Sequence, residues 1–219
     1  MIQRVLEPEV MDDPDEAVAY DRMNHDFVNQ QFVADLLATG MMGHDVLDLG
    51  TGTALIPVEL CMQHKNCRVM ASDAAVSMLD LARYNIAVAS LDERIQLHHG
   101  DSKKLGFEDA MFDTVISNSL IHHVADVRQV LSEIVRVCKP GGLMFVRDLH
   151  RPNSSSEIEA LIEMYAKEES RHCQQLLRQS LHAALRLDEL QVHVGTLGFA
   201  SETVTMTSDR HWTWSAHKI

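Results

Sequence analysis

The sequence lacks the long apolar segments that mark a membrane protein. Hydrophobic residues make up 46% of its 219 residues, yet no uninterrupted apolar run approaches the roughly 18 residues of a membrane-spanning helix. Residues 1–15 carry acids and prolines instead of the basic and apolar runs of a signal peptide. We therefore expect a cytoplasmic protein without membrane contacts.

Cysteine is scarce, and its spacing matches no common metal or disulfide framework. The four cysteines include no C-x-x-C pair of the kind found in zinc sites and redox motifs. Cys61 and Cys138 stand in helical patterns among apolar neighbours, where a thiol usually behaves as a small core residue. A thiolate-binding acceptor such as arsenite is the minor alternative. The sequence assigns no metal ligand and leaves open whether a metal assists.

Positive charge is also in short supply, with 19 basic residues against 32 acids and a formal net charge of −13. A nucleic-acid binder normally needs a basic surface to replace the counterions of the phosphates. A tRNA, rRNA or DNA substrate is therefore disfavoured, and a small-molecule acceptor is expected. The length suits a single domain spanning residues 1–219, and a homodimer stays open as its assembly.

Between residues 45 and 150, short apolar runs alternate with helical patterns. This alternation is typical of βαβ units and predicts a cofactor-binding core around a parallel sheet. The proline and glycines at 139–142 predict a turn before the last of these strands. The five predicted strands are 45–49, 68–72, 95–98, 112–117 and 143–148.

The two flanks of this core have different patterns. Residues 14–40 predict an N-terminal helical cap with two helices, and residues 151–186 predict two lid helices. Residues 187–219 predict a last helix followed by a hairpin, with strands at 200–206 and 211–217. The chain as a whole predicts an α/β fold, doubly wound, with a mostly parallel seven-stranded sheet, a C-terminal antiparallel hairpin and a helical lid.

A glycine-rich loop follows the first predicted strand, in the run VLDLGTGTA. Gly50 and Gly52, with Thr51 between them, allow a tight turn and a close approach of the backbone to a ligand. A dinucleotide-binding dehydrogenase uses the same loop. However, the carboxylate of Asp48 would sit badly against a pyrophosphate and suits a ligand that carries an ammonium group.

Acids at the ends of the next two strands extend this predicted cofactor site. Asp73, with Ala74 beside it, ends the second strand, where an acid accepts hydrogen bonds from ribose hydroxyls. Asp101 and Ser102 follow the third strand, where they are candidates for contacts to an adenine. The alternative for Asp101 is an Asx-type turn cap.

Taken together, these motifs resemble the class I, Rossmann-like S-adenosylmethionine-dependent methyltransferases. The resemblance is to the small-molecule branch that includes ubiquinone- and menaquinone-biosynthesis enzymes, and it covers residues 46–146. It implies S-adenosylmethionine as cofactor and S-adenosylhomocysteine as product. One departure is Ala54, at the position of the usual third glycine, which we expect mainly to need a small side chain. The motifs are VLDLGTGTA, ASDAAVSML, HHGDS, FDTVISNSLIHHVAD and LSEIVRVCKPGG.

The resemblance also implies roles for residues outside the loop. Asn118 stands where related enzymes have an acid or amide facing the cofactor, and Tyr20 resembles a tyrosine that closes over the methionine moiety. His122 and His123 look like a paired histidine of small-molecule methyltransferases, and a neutral imidazole accepts a proton near neutral pH. Capping or packing beneath the lid is the alternative for either histidine.

Strand alternation places two further candidates on one side of the fifth strand. Asp148 and His150 are two residues apart, so we expect the carboxylate to orient the imidazole. The alternative is that Asp148 only caps the end of the sheet.

Three rival functions remain from the sequence alone. One is an enzyme of the same fold that binds S-adenosylmethionine without transferring methyl, and another is a non-catalytic binding protein. The third is a dehydrogenase, which Asp48 disfavours.

Overall fold

The computed structural model describes residues 2–7, 10, 12–21 and 26–219. The described strands form one seven-stranded sheet in the order β3-β2-β1-β4-β5-β7-β6. β1 to β5 are mutually parallel, and β7 runs antiparallel to both β5 and β6. The strands are β1 Asp45–Leu49, β2 Arg68–Asp73, β3 Ile95–His99, β4 Phe112–Asn118, β5 Cys138–Leu149, β6 Val204–Met206 and β7 His211–His217.

Helices lie between the parallel strands, and further helices precede β1 and follow β5. Short 3-10 helices lie at Ile121–His123 and Ser201–Thr203. The α-helices are α1 Pro14–Asp21, α2 Asp26–Ala38, α3 Leu55–Gln63, α4 Val76–Val88, α5 Val127–Val137, α6 Ser155–Tyr165, α7 Arg171–Ala183 and α8 Leu187–Thr196.

Alternate side chains of each central strand enter two separate hydrophobic layers. Leu47 and Val115 pack in the layer that contains the buried residues of α5 and α8. Val46 and Ile116 pack in the layer that contains those of α2, α3 and α4. A parallel sheet is buried on both faces, which explains its nearly continuous apolar strands. The predicted doubly wound, seven-stranded sheet is confirmed.

The packing of α5 follows directly from its sequence. Its buried side chains recur at helical spacing on one face. The carboxylate of Asp126 accepts a hydrogen bond from the Gln129 N–H at 3.1 Å and caps the first turn. The helix has the bounds that the sequence predicts, because cap and apolar face begin at the same place. Those buried residues are Val127, Val130, Leu131, Ile134 and Val137.

The carboxyl ends of the parallel strands lie at one edge of the sheet. β1 ends at Leu49, β2 at Asp73, β4 at Asn118 and β5 at Leu149. Ligands of open α/β sheets bind outside this edge. The loops that carry the predicted site residues are therefore neighbours in space.

Two predicted boundaries are wrong. The predicted turn at 139–142 is part of β5, although Gly141 keeps a positive φ of 76° and the β4–β5 register shifts nearby. The predicted strand at 200–206 begins with a 3-10 helix, in which the Thr203 hydroxyl donates to the carbonyl of Ala200 at 2.6 Å.

Part of the predicted cap at 14–40 falls on residues 22–25, which lie outside the described residues. Among the helices that the structure describes, none combines the length and the apolar character that crossing a membrane requires.

Candidate cofactor and acceptor site

The loop after β1 has the backbone that its glycines predict. Gly50 and Gly52 have φ values of 68° and 55°, in the left-handed region that favours glycine. The N–H groups of Gly50 and Thr51 both donate to the Ser72 carbonyl on β2, at 2.9 and 3.0 Å. A Cβ on Gly50 would lie 3.0 Å from Leu120. The loop is thus held between β2 and the segment after β4.

Ala54 also has a left-handed backbone, with φ of 61° at the residue preceding α3. Its side chain is buried. The expectation that this position mainly needs a small side chain is incomplete, because it needs the left-handed conformation as well. That conformation costs a non-glycine residue about 1–2 kcal/mol, and a glycine would avoid the cost.

The carboxylate of Asp48 lies buried beneath the loop, with only 2% of the residue exposed. The Thr51 hydroxyl donates to its Oδ2 atom at 2.7 Å. Burial raises the pKa of Asp48 to about 7, and the nearby negative charge of Asp73 adds to the shift. A cationic ligand group would favour the ionised form of this carboxylate.

Asp73 faces the same loop from the end of β2. Its carboxylate accepts hydrogen bonds from the N–H groups of Gly52 and Ala75, at 2.8 and 2.9 Å. Burial raises its pKa, although these two N–H donors act against the shift. Each carboxylate oxygen has a second lone pair, so the predicted contact to a ribose is compatible with these bonds.

A cleft that is partly open to solvent lies along the loop. The described residues that line it include the carboxylate of Asp48 and no basic side chain, which disfavours a pyrophosphate. Cε1 of Tyr20 lies 3.9 Å from where a Cβ on Gly52 would stand. The lining residues are Tyr20, Asn29, Asp48, Gly50, Thr51, Gly52, Thr53, Leu55, Ile56 and Asn118.

Asn118 gives this cleft an unused hydrogen-bond acceptor. Its Oδ1 atom is buried and has no hydrogen-bond partner among the described residues. A buried polar atom of this kind usually has a partner in the functional protein. A polar ligand with ammonium and hydroxyl donors fits both Asn118 and Asp48.

The residues predicted to contact an adenine lie outside the lining of this cleft. The side chain of Asp101 is 54% exposed, accepts from the Lys103 N–H at 2.9 Å and lies 3.2 Å from the Lys103 ammonium. This is the Asx-type turn weighed as the alternative. Asp73, Ala74 and Ser102 are likewise absent from the lining, so the predicted cofactor contacts of all four residues stay predictions.

Asp148 orients His122 and not His150, which corrects the predicted pair. Its Oδ1 atom lies 2.5 Å from Nδ1 of His122, and its Oδ2 atom accepts from the His122 backbone N–H at 3.0 Å. The Leu149 N–H donates to the same carboxylate at 2.6 Å. His150 lies beyond the end of β5, and its Nδ1 atom is buried without a partner among the described residues. Burial lowers the pKa of His150.

The electrostatics of the His122–Asp148 pair follow from its position. Burial alone would lower the pKa of His122, but Asp148 and Glu7 outweigh this effect and raise it. Burial alone would raise the pKa of Asp148, and His122 with two backbone donors holds it below its usual range. The pair therefore favours a protonated imidazole beside an ionised carboxylate.

Residues 2–7, here termed the N-terminal strap, complete this cluster, although no sequence pattern predicted their contact. The Arg4 guanidinium donates to the carbonyls of Ile121, His122 and Val124 at 3.0–3.3 Å. Glu7 places its Oε1 atom 3.3 Å from Nε2 of His122 and 3.2 Å from Nδ1 of His123. A lone acid in a segment without periodicity gives no signal for this contact.

The sheet order and the glycine loop together define a Rossmann-like methyltransferase fold. Residues 47–146 match the family model described as a methyltransferase domain. This segment, which is a little under half of the chain, is thus similar to methyltransferase domains.

Two relatives indicate how far this similarity extends. The chain is 25% identical over 182 residues to the 27-O-demethylrifamycin SV methyltransferase of Amycolatopsis mediterranei, covering 81% of this chain and 62% of that one. It is 35% identical over 109 residues to the demethylmenaquinone methyltransferase of Deinococcus radiodurans, covering 50% and 44%. The match thus spans about half the length of these relatives.

Solved structures share the fold over more of the chain. A methyltransferase from Aquifex aeolicus superposes with a TM-score of 0.71 at 16% identity, covering 94% of this chain and 99% of that one. The Haemonchus contortus phosphoethanolamine N-methyltransferase 2 in complex with S-adenosyl-L-methionine gives a TM-score of 0.61 at 22% identity, covering 77% and 36%. At these identities the likeness concerns the fold alone.

Proposed function

We propose that the chain binds S-adenosylmethionine and transfers its methyl group to a small-molecule acceptor. The observation that carries the proposal is the cleft along the β1 loop, in which the buried carboxylate of Asp48 and the unpartnered Oδ1 of Asn118 lie together. Both groups accept hydrogen bonds and therefore suit a ligand that carries an ammonium group. The methionine part of the cofactor carries such a group.

The residues that line the cleft, together with Asp73 beside its loop, have distinct tasks in holding such a cofactor. Gly50 and Gly52 let the backbone approach the methionine part closely, and Asp48 offers it a carboxylate. Asp73 is placed to accept from ribose hydroxyls, and Tyr20 covers the loop from α1. When bound, S-adenosylmethionine supplies an electrophilic methyl on a good leaving group. The protein then chiefly has to align the acceptor and keep water out.

The loop after Asn118 leads from the cleft to the acceptor side. Leu120 packs against Gly50, and His122 and His123 follow within three residues. In its neutral form, His122 donates from Nδ1 to Asp148 and has the lone pair of Nε2 on the side of Glu7. It is then the candidate proton acceptor, with Asp148 as its positioning residue.

The surroundings of the site favour a compact acceptor. Helices α6 and α7 pack together beside the end of β5, and we assign residues 151–186 the role of a lid. The net charge of −13 disfavours a nucleic-acid acceptor. A cytoplasmic location completes the proposal.

Calorimetric titration with S-adenosylmethionine, S-adenosylhomocysteine and NAD tests the cofactor assignment. We expect binding of the first two and none of NAD. Asp73→Ala and Asn118→Ala should each weaken binding by about 1–3 kcal/mol, since each removes a ligand acceptor. Asp92→Ala, at an exposed position, is the matched control. Binding of NAD alone would overturn the proposal.

Methyl transfer itself needs a second measurement. Formation of S-adenosylhomocysteine during incubation with a panel of phenolic, amine, thiol and enol acceptors measures it. Tight cofactor binding without turnover on any acceptor, or consumption of the cofactor without methylated product, would favour the non-transferring alternatives.

A further inference from the structure

Three potential metal ligands converge beneath the N-terminal strap. One ring nitrogen each of His122 and His123 and a carboxylate oxygen of Glu7 all lie within 4.8 Å of one another. The two imidazole rings are 4.2 Å apart between centroids and inclined at 35°. The side chains of Glu7 and His122 are only 10% and 4% exposed. Two histidines and one carboxylate are a common donor set for divalent transition metals.

The spacing of the three atoms is close to that of a ligand triangle. Zinc–nitrogen and zinc–oxygen bonds of about 2.0–2.2 Å place tetrahedral ligands about 3.4 Å apart. The Glu7 oxygen lies 3.3 Å from the His122 nitrogen and 3.2 Å from the His123 nitrogen. Two edges of the triangle are therefore nearly in place, and one ligand atom from each of the three residues lies within 4.8 Å of the others. A rotation of one imidazole would complete the triangle.

His122 already has the outer contact that orients metal-bound histidines. Its Nδ1 atom lies 2.5 Å from the buried carboxylate of Asp148, which fixes Nδ1 as the protonated nitrogen and leaves Nε2 for a metal. Carboxylate–histidine–metal arrangements of this kind are general in protein metal sites.

The charge around the cluster also favours a cation. Glu7 and Asp148 bring two carboxylates, and the guanidinium of Arg4 contacts this loop through carbonyl oxygens. A divalent ion bound between the two imidazoles and Glu7 would balance these carboxylates.

We propose that Glu7, His122 and His123 bind a divalent transition metal ion, with Zn²⁺ or Co²⁺ as the fitting class. Three protein ligands leave at least one coordination position open. If the proposed methyl transfer holds, that position suits an oxygen donor of the acceptor, whose hydroxyl proton a metal makes easier to lose. Nε2 of His122 is then a ligand and not a proton acceptor, so the two uses exclude each other.

Cobalt titration of the full chain, made without any cofactor, tests the site. The d–d absorption of bound Co²⁺ reports coordination number, and calorimetry with Co²⁺ and Zn²⁺ gives stoichiometry. We expect one ion per chain with nitrogen and oxygen ligands only. Glu7→Gln and His123→Ala should each weaken binding by about tenfold or more. His172→Ala, at an exposed histidine of α7, should leave it unchanged.

The possible results separate the metal site from the methyltransferase proposal. Absence of binding, unchanged affinity in both ligand variants, or a thiolate charge-transfer band from the cysteines would overturn the metal site. Circular dichroism checks that both variants fold. Titration of the same samples with S-adenosylhomocysteine is independent of the metal, so a failure of the cofactor assignment would be seen separately.

Discussion

Nδ1 of His122 lies 2.5 Å from Oδ1 of Asp148 and ties the loop after β4 to the end of β5. Both side chains are buried, and the carboxylate also accepts two backbone N–H groups. The contact joins the segment after β4 to the end of β5, so we expect it to contribute to the stability of the fold.

Breaking this pair should be costly. Asp148→Asn leaves a buried imidazole without its counter-charge, and we expect a loss of about 2–4 kcal/mol in the free energy of unfolding. Urea denaturation measures it. Asp80→Asn removes an exposed pair with Arg83 and should change stability by less than about 1 kcal/mol. Equal effects of the two substitutions would contradict the role of burial.

The raised pKa of His122 predicts a pH dependence of stability. Protonation of His122 is favoured in the folded state, so its contribution is complete below the ordinary histidine pKa of about 6.5. It is lost as the pH rises through the higher, folded-state pKa. The difference in unfolding free energy between the wild type and His122→Gln should therefore be larger at pH 6 than at pH 9. A difference that grows with pH would refute the assignment.

Asp48 should make cofactor binding depend on pH. With a pKa of about 7, the free protein has mostly ionised Asp48 at pH 8 and mostly neutral Asp48 at pH 6. A ligand ammonium prefers the ionised form, so affinity for S-adenosylhomocysteine should fall about tenfold from pH 8 to pH 6. Calorimetry at the two pH values measures it.

Asp48→Asn is the control for that effect and has a second consequence. It should bind the ligand weakly and lose most of the pH dependence. The free protein should be more stable than the wild type at pH 8, by on the order of 2 kcal/mol, because folding no longer has to bury a carboxylate above its ordinary pKa. Lower stability at pH 8 would show that the Thr51 contact outweighs burial.

Gly50 should not tolerate a side chain. Gly50→Ala places a Cβ at a φ of 68° and 3.0 Å from Leu120, so we expect a loss of about 1–3 kcal/mol and weaker cofactor binding. Thermal unfolding and calorimetry measure the two effects. Gly195→Ala, in α8 with nothing within 4 Å of the new Cβ, should instead stabilise the protein by up to about 1 kcal/mol.

A buried arginine holds α2 on the sheet. Arg147 on β5 donates to Asp35 at 2.7 Å and to Thr213 at 2.9 Å, and its guanidinium lies against Phe32. Asp35→Ala should cost about 1–3 kcal/mol of unfolding free energy, since Arg147 stays buried with less compensation. Glu163→Ala, which removes an exposed pair with Lys167, should cost under about 1 kcal/mol.

The parts of the fold and site that the sequence predicts are those with local signals. Asp48, Gly50 and Asp73 each follow or end an apolar strand, so chain position alone assigns them to one edge of the sheet. The bounds of α5 were equally predictable, because Asp126 and the apolar face mark the same start.

The parts that escaped prediction depend on contacts between distant segments. Strand alternation puts Asp148 and His150 on one side, but it carries no information on the loop that brings His122 to Asp148. Glu7 contacts histidines more than a hundred positions away along the chain. The left-handed backbone of Ala54 could not be predicted either, because alanine has no preference for the left-handed conformation.

Amide hydrogen exchange in the N-terminal strap should report whether a ligand is bound at His122 and His123. The Val5 N–H donates to the carbonyl of His182 at 3.1 Å, and the Ile2 N–H donates to that of Asn153. Whatever binds at His122 and His123 must either engage Glu7 or displace it, and either event changes how often these amides open. The exchange rate of the Val5 amide with solvent deuterium is therefore thermodynamically linked to ligand binding at His122 and His123.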